Sequence, residues 1–167
     1  SNYFLENVTG GIHVGANLGQ SRDLYDYYDL DVIWIEPIEN TFKNLEKNIK
    51  NYPRQKAYND LIRDEDDKSY EFFITNNDVS SSILKLSQHK RLFPHEKESF
   101  SIKLQSKTLK TLLEEKNIYI NNYQFLNLDT QGSELLILKD ASSIISKFSF
   151  IKTEVANFEA YENCDQL

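Results

Sequence analysis

The chain has 167 residues, 40% of them hydrophobic and 27% charged, with a net charge of −7 and a pI near 5.0. That length accommodates one domain, residues 1–167, with a core that needs no staple. The acidic balance argues against the basic face that nucleic acid or an anionic membrane requires, and Cys164, the sole cysteine, excludes an internal disulfide and fits a reducing cytoplasm.

In chain order, residues 10–14 (GGIHV) read as a short buried strand that breaks at Gly15. Leu18, Leu24, Tyr25 and Tyr28 then form one face of a helix starting near residues 18–21. DVIWIEP is a second buried strand, stopped by Pro37. Phe42, Leu45, Ile49 and Tyr52, spaced by three, four and three, predict an amphipathic helix capped near Asn40 or Thr41 and ended by Pro53. QKAYNDLI is a third strand and YEFFITNN a fourth, the two a candidate hairpin across the charged turn RDEDDK.

Residues 78–99 lack a period and predict a long loop. FSIKLQSKTL alternates as a strand, TLKTLLEEKN is a short helix, and YQFLNLDTQ is a strand ending at Asp129. GSELLILKDASSIISKF is helical, and FSFIKTEVA is a further buried strand ending at Glu154. Strands apolar throughout, alternating with helices, define an α/β fold with a doubly wound, mostly parallel sheet. No leader and no long apolar span is present, and no methionine occurs, so a processed, tagged or cut N-terminus is expected.

The chain has five glycines where average usage would give about a dozen. Gly10, Gly11, Gly15 and Gly19 fall in one stretch, and Gly132 follows Asp129 by three residues. All five are expected at turns flanking a site. In a doubly wound sheet, ligands sit outside the carboxyl ends of the strands. A Gly15–Gly19 turn leading into a helix N-terminus suits an anionic group. The dinucleotide fingerprint, counted from Gly15, needs glycines at 17 and 20, where Asn17 and Gln20 stand. Glu36 ends the second strand 21 residues after Gly15, where an acid accepts ribose hydroxyls in adenosine-bearing cofactors. A strand-end surface carboxylate is the plainer alternative for Glu36, and a simple tight turn for the loop.

The stretches IHVGANLGQS, VIWIEP, SSSIL, FLNLDTQGSELLILK and TEVANFEAYENC occur in the order and rough spacing of the FkbM family of S-adenosylmethionine-dependent methyltransferases, which the chain resembles from about residue 8 to 167. It is most similar to the branch with His, here His13, where many members carry Asp. The resemblance implies a class I methyltransferase (Rossmann-like) fold, S-adenosyl-L-methionine as cofactor, S-adenosyl-L-homocysteine as product, and transfer to a hydroxyl of a sugar, glycan or small metabolite. Family members continue past YENC with a helix and a closing hairpin, which this chain is expected to lack.

Methyl transfer from a sulfonium needs a positioned acceptor and a proton acceptor. Gly15, Ala16, Asn17, Gly19 and Gln20 are expected around the methionine moiety, Glu36 on the ribose, Pro37 and Ile38 along one adenine face, and Asn59 and Asp60 at the adenine edge. Turn chemistry is the competing reading of Asn59–Asp60. His13, placed at the mouth of the first strand, is a candidate cofactor ligand or base, against a buried, satisfied histidine. By resemblance Asp129 faces the transferred methyl, to orient the cofactor amine, hold a divalent ion or accept a proton; a helix cap is its alternative. Glu154 is a second acid candidate, Glu134 a dipole partner of its helix, and the serines 80–82 a candidate cover for the acceptor. His89 and His95, six residues apart with no nearby cysteine, lack zinc-ligand spacing. A nicotinamide-dependent oxidoreductase and a non-catalytic cofactor-binding domain are the other two readings.

Overall fold

A computed structural model describes residues 2–75, 82–83, 99–130 and 132–153. Five parallel strands make the central sheet: β1 (Gly10–Val14), β2 (Asp31–Ile35), β3 (Gln55–Tyr58), β8 (Phe125–Leu128) and β9 (Phe150–Thr153), in the order β3-β2-β1-β8-β9. The chain winds outward from β1 to β3, then returns to β1's other side with β8. The switch point therefore lies between β1 and β8.

Alternation along each strand fills both faces. On one, Ile12, Val14, Ile33, Ile35, Leu126 and Leu128 meet helix α3 (Leu109–Glu115), α4 (Glu134–Asp140) and α5 (Ser142–Ile145). On the other, Val32, Trp34 and Phe125 meet α1 (Arg22–Tyr27), α2 (Glu39–Ile49) and a 3-10 turn at Tyr3–Asn7. Burial of these apolar strands on both faces is what the sequence pattern demanded, and the doubly wound α/β reading holds.

A second sheet departs from expectation. QKAYNDLI is not one strand: β3 ends at Tyr58, and β4 (Leu61–Ile62) joins another sheet with β5 (Ser69–Thr75), β6 (Ser82–Ile83) and β7 (Ser99–Lys107), in the order β4-β7-β5-β6. The break has a cause. The Asn59 amide donates to the carbonyls of Glu36 (2.9 Å) and Pro37 (3.0 Å), and Asp60 pairs with Lys107 (2.9 Å). β5 pairs antiparallel with the next strand, β6, on one side and with β7, from Ser69↔Gln105 to Thr75↔Ser99, on the other, whereas β4 runs parallel to β7. Leu61, Phe72 and Ile74 of this sheet bury Ile38, just past the end of β2.

Smaller differences follow from packing. Helix α1 starts at Arg22, leaving Leu18 in the preceding turn, and α2 starts directly after Ile38, so Thr41 is buried within its first turn. The 132–148 helix breaks at Ala141 into α4 and α5. β9 is not buried: Phe150 and Ile151 are 37% and 42% exposed, on the outermost strand among the described residues. Gly10 and Gly11 lie within β1, at the end away from the switch-point loops, rather than at a turn. A side chain at Gly10 would strike the Asn122 carbonyl, and at Gly11 the Phe125 ring.

Candidate active site

The carboxyl ends of β2, β1 and β8 converge. The N–H groups of Gly15 and Ala16 both donate to the Ile35 carbonyl at 3.0 Å, and the Asp129 N–H donates to the Val14 carbonyl at 2.9 Å. Glu36, buried at the end of β2, bonds through its N–H to the Tyr58 carbonyl (3.0 Å). The loop after β1, the acid after β2 and the acid after β8 are thus fixed side by side at the switch point.

The loop itself is left-handed at three alternate residues: Gly15 (φ 78°), Asn17 (φ 49°) and Gly19 (φ 71°). Glycine and asparagine tolerate that region best. A side chain at Gly15 would run into the Asp129 carbonyl, and one at Gly19 would come within 2.8 Å of Leu45. These glycines let the loop close on β8 and α2. Asn48 donates to the Leu18 carbonyl (2.8 Å) and Arg22 to the Gly19 carbonyl (3.0 Å), securing the turn from outside.

Asp129 owes its place to a residue downstream. Glu134, 1% exposed, accepts the N–H groups of Thr130 (2.8 Å) and Gly132 (2.9 Å), one on each carboxylate oxygen. Its role is to knit the turn after β8, beyond the dipole role read from its position. Asn127, two residues before Asp129, is buried, as are Tyr25 and Trp34. The trace of such residues in the sequence is slight: His13 and Asn127 are the polar interruptions of the apolar runs GGIHV and FLNL.

Of the expected site residues, Gly15, Ala16, Asn17, Glu36, Pro37 and Asp129 stand at these three strand ends, and Gly19, packed on α2, and Gln20 follow further along the loop. Ala16 turns its side chain into the core, and Gln20 is exposed. Ile38 is buried against the second sheet. Asn59 and Asp60 hold the β2 end and Lys107, and Lys107 also pairs with Glu115 at 2.8 Å. His13 lies one residue beneath the mouth, paired in register with Trp34 and Asn127. Burial, with Lys152 nearby, lowers its pKa to about 4. Glu154, the serines 80 and 81, His89, His95 and Cys164 lie outside the described residues. Among the described residues no group of three or more His, Cys, Asp or Glu could hold a metal ion, and no helix is long and apolar enough to cross a membrane.

An open parallel sheet with a left-handed loop after its first strand, an acid after its second and another beyond the switch point defines a Rossmann-like α/β protein, a fold whose ligands sit outside the strands' carboxyl ends. The family of the methyltransferase FkbM domain matches residues 13–167. The chain belongs to that family, and methyltransferase chemistry is its class of activity. No curated protein and no solved structure gives a significant match.

Proposed function

We propose that the protein is an S-adenosylmethionine-dependent O-methyltransferase acting on a hydroxyl of a sugar, glycan or small metabolite. The observation that carries this reading is the convergence of Glu36, the Gly15–Gln20 loop and Asp129 at three adjacent strand ends. The chemistry of that set suits the cofactor. A carboxylate at the β2 end accepts hydrogen bonds from a ribose diol, and a second carboxylate across the loop suits an ammonium or a sulfonium. When bound, the cofactor supplies an electrophilic methyl group.

The chain's own tasks are then positioning and proton removal. The loop holds the methionine moiety, Glu36 the ribose, and Pro37 and Asn59 flank the adenine. Asp129 orients the ammonium or takes the proton that the acceptor hydroxyl loses as its oxygen gains the methyl. Glu154, next in line after β9, is the second acid. Calorimetric titration with S-adenosylhomocysteine, with NAD as control, tests the reading. Binding of the first alone, abolished in Glu36→Ala, is expected. Binding of NAD alone, or of neither, refutes it.

A further inference from the structure

Beneath the candidate site lies a buried polar cluster that the roles above do not use. His13, Trp34 and Asn127 occupy one row across β2, β1 and β8, with Tyr25 of α1 laid over them. The imidazole stacks on Trp34, with ring centroids 4.9 Å apart and planes 28° apart, and the Tyr25 ring is 5.3 Å from Trp34. His13 Nδ1 is 3.3 Å from the Tyr25 hydroxyl and 3.4 Å from Asn127 Nδ2. Burial raises the pKa of the Tyr25 hydroxyl, with Asn127 and Ser21 acting in the opposite direction.

The amide nitrogen of Asn127 can only donate, and a ring nitrogen that receives a donor cannot itself carry a proton. Nδ1 is therefore an acceptor, its one lone pair shared by the Asn127 amide and the Tyr25 hydroxyl, and in the neutral ring the proton resides on Nε2. The ring is 8% exposed, walled by Trp34 and Tyr25. An acceptor nitrogen whose single lone pair is already engaged inside a core is poorly placed to take a substrate's proton. It is well placed to hold three elements together. His13 stands two residues before Gly15, Asn127 two before Asp129, and Tyr25 within α1.

We propose that His13 is a positioning residue and not the base. In this reading, Tyr25 and Asn127 fix its tautomer, and the cluster locks the β1 loop, α1 and the β8 end into one arrangement. The low pKa of about 4 accords with a ring kept neutral by burial. The positioning of a cofactor by this cluster rests on the methyltransferase reading; the tautomer and the coupling of the three elements do not.

Nitrogen-15 NMR of the ligand-free chain near pH 7.5 tests it. The chain has three histidines, so the His13 signals are identified by their loss in His13→Asn. Nδ1 unprotonated and Nε2 protonated is expected. A proton on Nδ1, a tautomer mixture or an imidazolium overturns the proposal. Tyr25→Phe and Asn127→Leu should each shift the amide signals of both Gly15 and Asp129 in the folded chain; unmoved signals in both variants overturn it. With S-adenosylhomocysteine, the same two variants should weaken binding roughly three- to tenfold. His13→Asn, which keeps an acceptor at the Nδ1 position, should stay within about threefold of wild type, and His13→Leu should not. Equal binding by His13→Asn and His13→Leu overturns the positioning role. A wild type that binds no S-adenosylhomocysteine refutes the cofactor reading instead, and the ligand-free spectra still decide the cluster.

Discussion

At the scale of single residues, the site depends on close approach and on buried acceptors. Gly15 combines φ 78° with an approach to the Asp129 carbonyl that leaves no room for a side chain. Gly15→Ala should cost about 2 kcal/mol or more in urea denaturation; a smaller loss would mean that the two strand ends can separate freely. Glu134→Gln leaves one of two partly buried N–H groups without a good acceptor, a loss of about 1 kcal/mol by the same measurement. His13 gives a pH dependence. The unfolded imidazole takes a proton near pH 6.5, the folded one only near 4. The unfolded chain binds the extra proton between those values, so stability should fall as pH drops through that window, by roughly 3 kcal/mol in all. Urea denaturation at several pH values should show that slope in wild type and not in His13→Asn. The strand-end positions of Glu36 and Asp129 and the Gly15–Gly19 turn were legible because residue type and strand end carry the signal; the left-handed Asn17 between them was not. The Glu134 clasp and the Tyr25–His13–Asn127 cluster were not. Each depends on which partners a strand register brings together, and register is not written in any one segment.

At the scale of elements, local signals served where local forces decide. The three-four-three spacing placed α2, and the leucines of LKTLLEE placed α3. Helix α3 also begins at a side-chain cap: Thr108 accepts the Thr111 N–H at 3.1 Å, while Asp66 accepts the Thr108 N–H and the Thr111 hydroxyl, each at 2.8 Å. Thr108→Ala should cost about 1 kcal/mol in chemical denaturation, with Asp66 left to hold only a frayed first turn. The Thr108 N–H foremost, and then the Thr111 hydroxyl, keep the Asp66 carboxyl below the usual range. Its contribution is therefore present at neutral pH and is lost as pH falls through the lowered value. The division of QKAYNDLI escaped local reading because its causes are distant. Asn59 answers to carbonyls on the end of β2, and Asp60 to a lysine on β7. The exposure of β9 escaped because FSFIKT has the composition of a buried strand whatever lies beside it.

At the scale of the whole molecule, the alternation of apolar strands with helices was enough for the doubly wound sheet. The second sheet was not foreseen, since β4 and β7 pair in parallel across more than forty residues of chain. Its apolar face nonetheless borders the site, because Ile38 joins Leu61, Phe72 and Ile74 directly after Glu36 and Pro37. Ligand binding should therefore stabilise the fold as a unit. S-adenosylhomocysteine at about a hundredfold its Kd should raise the unfolding free energy by about 2.7 kcal/mol, read as a shift in the thermal transition. Glu36→Ala should melt at the same temperature with and without it.

The strand order also sets a timetable. β1, β2 and β3 can pair as soon as Tyr58 has left the ribosome, but the other partner of β1, β8, begins at Phe125. Pairs such as His13 with Asn127 close a loop of 114 residues, a costly, late step for a folding chain. Until then the edge of β1 that β8 will cover stands open, a surface to which a chaperone or another nascent chain can attach. The half of the site carrying Glu36 can assemble first, and Asp129 joins it only once β8 has been made. Competence to bind is thus gained only when β8 has docked against β1.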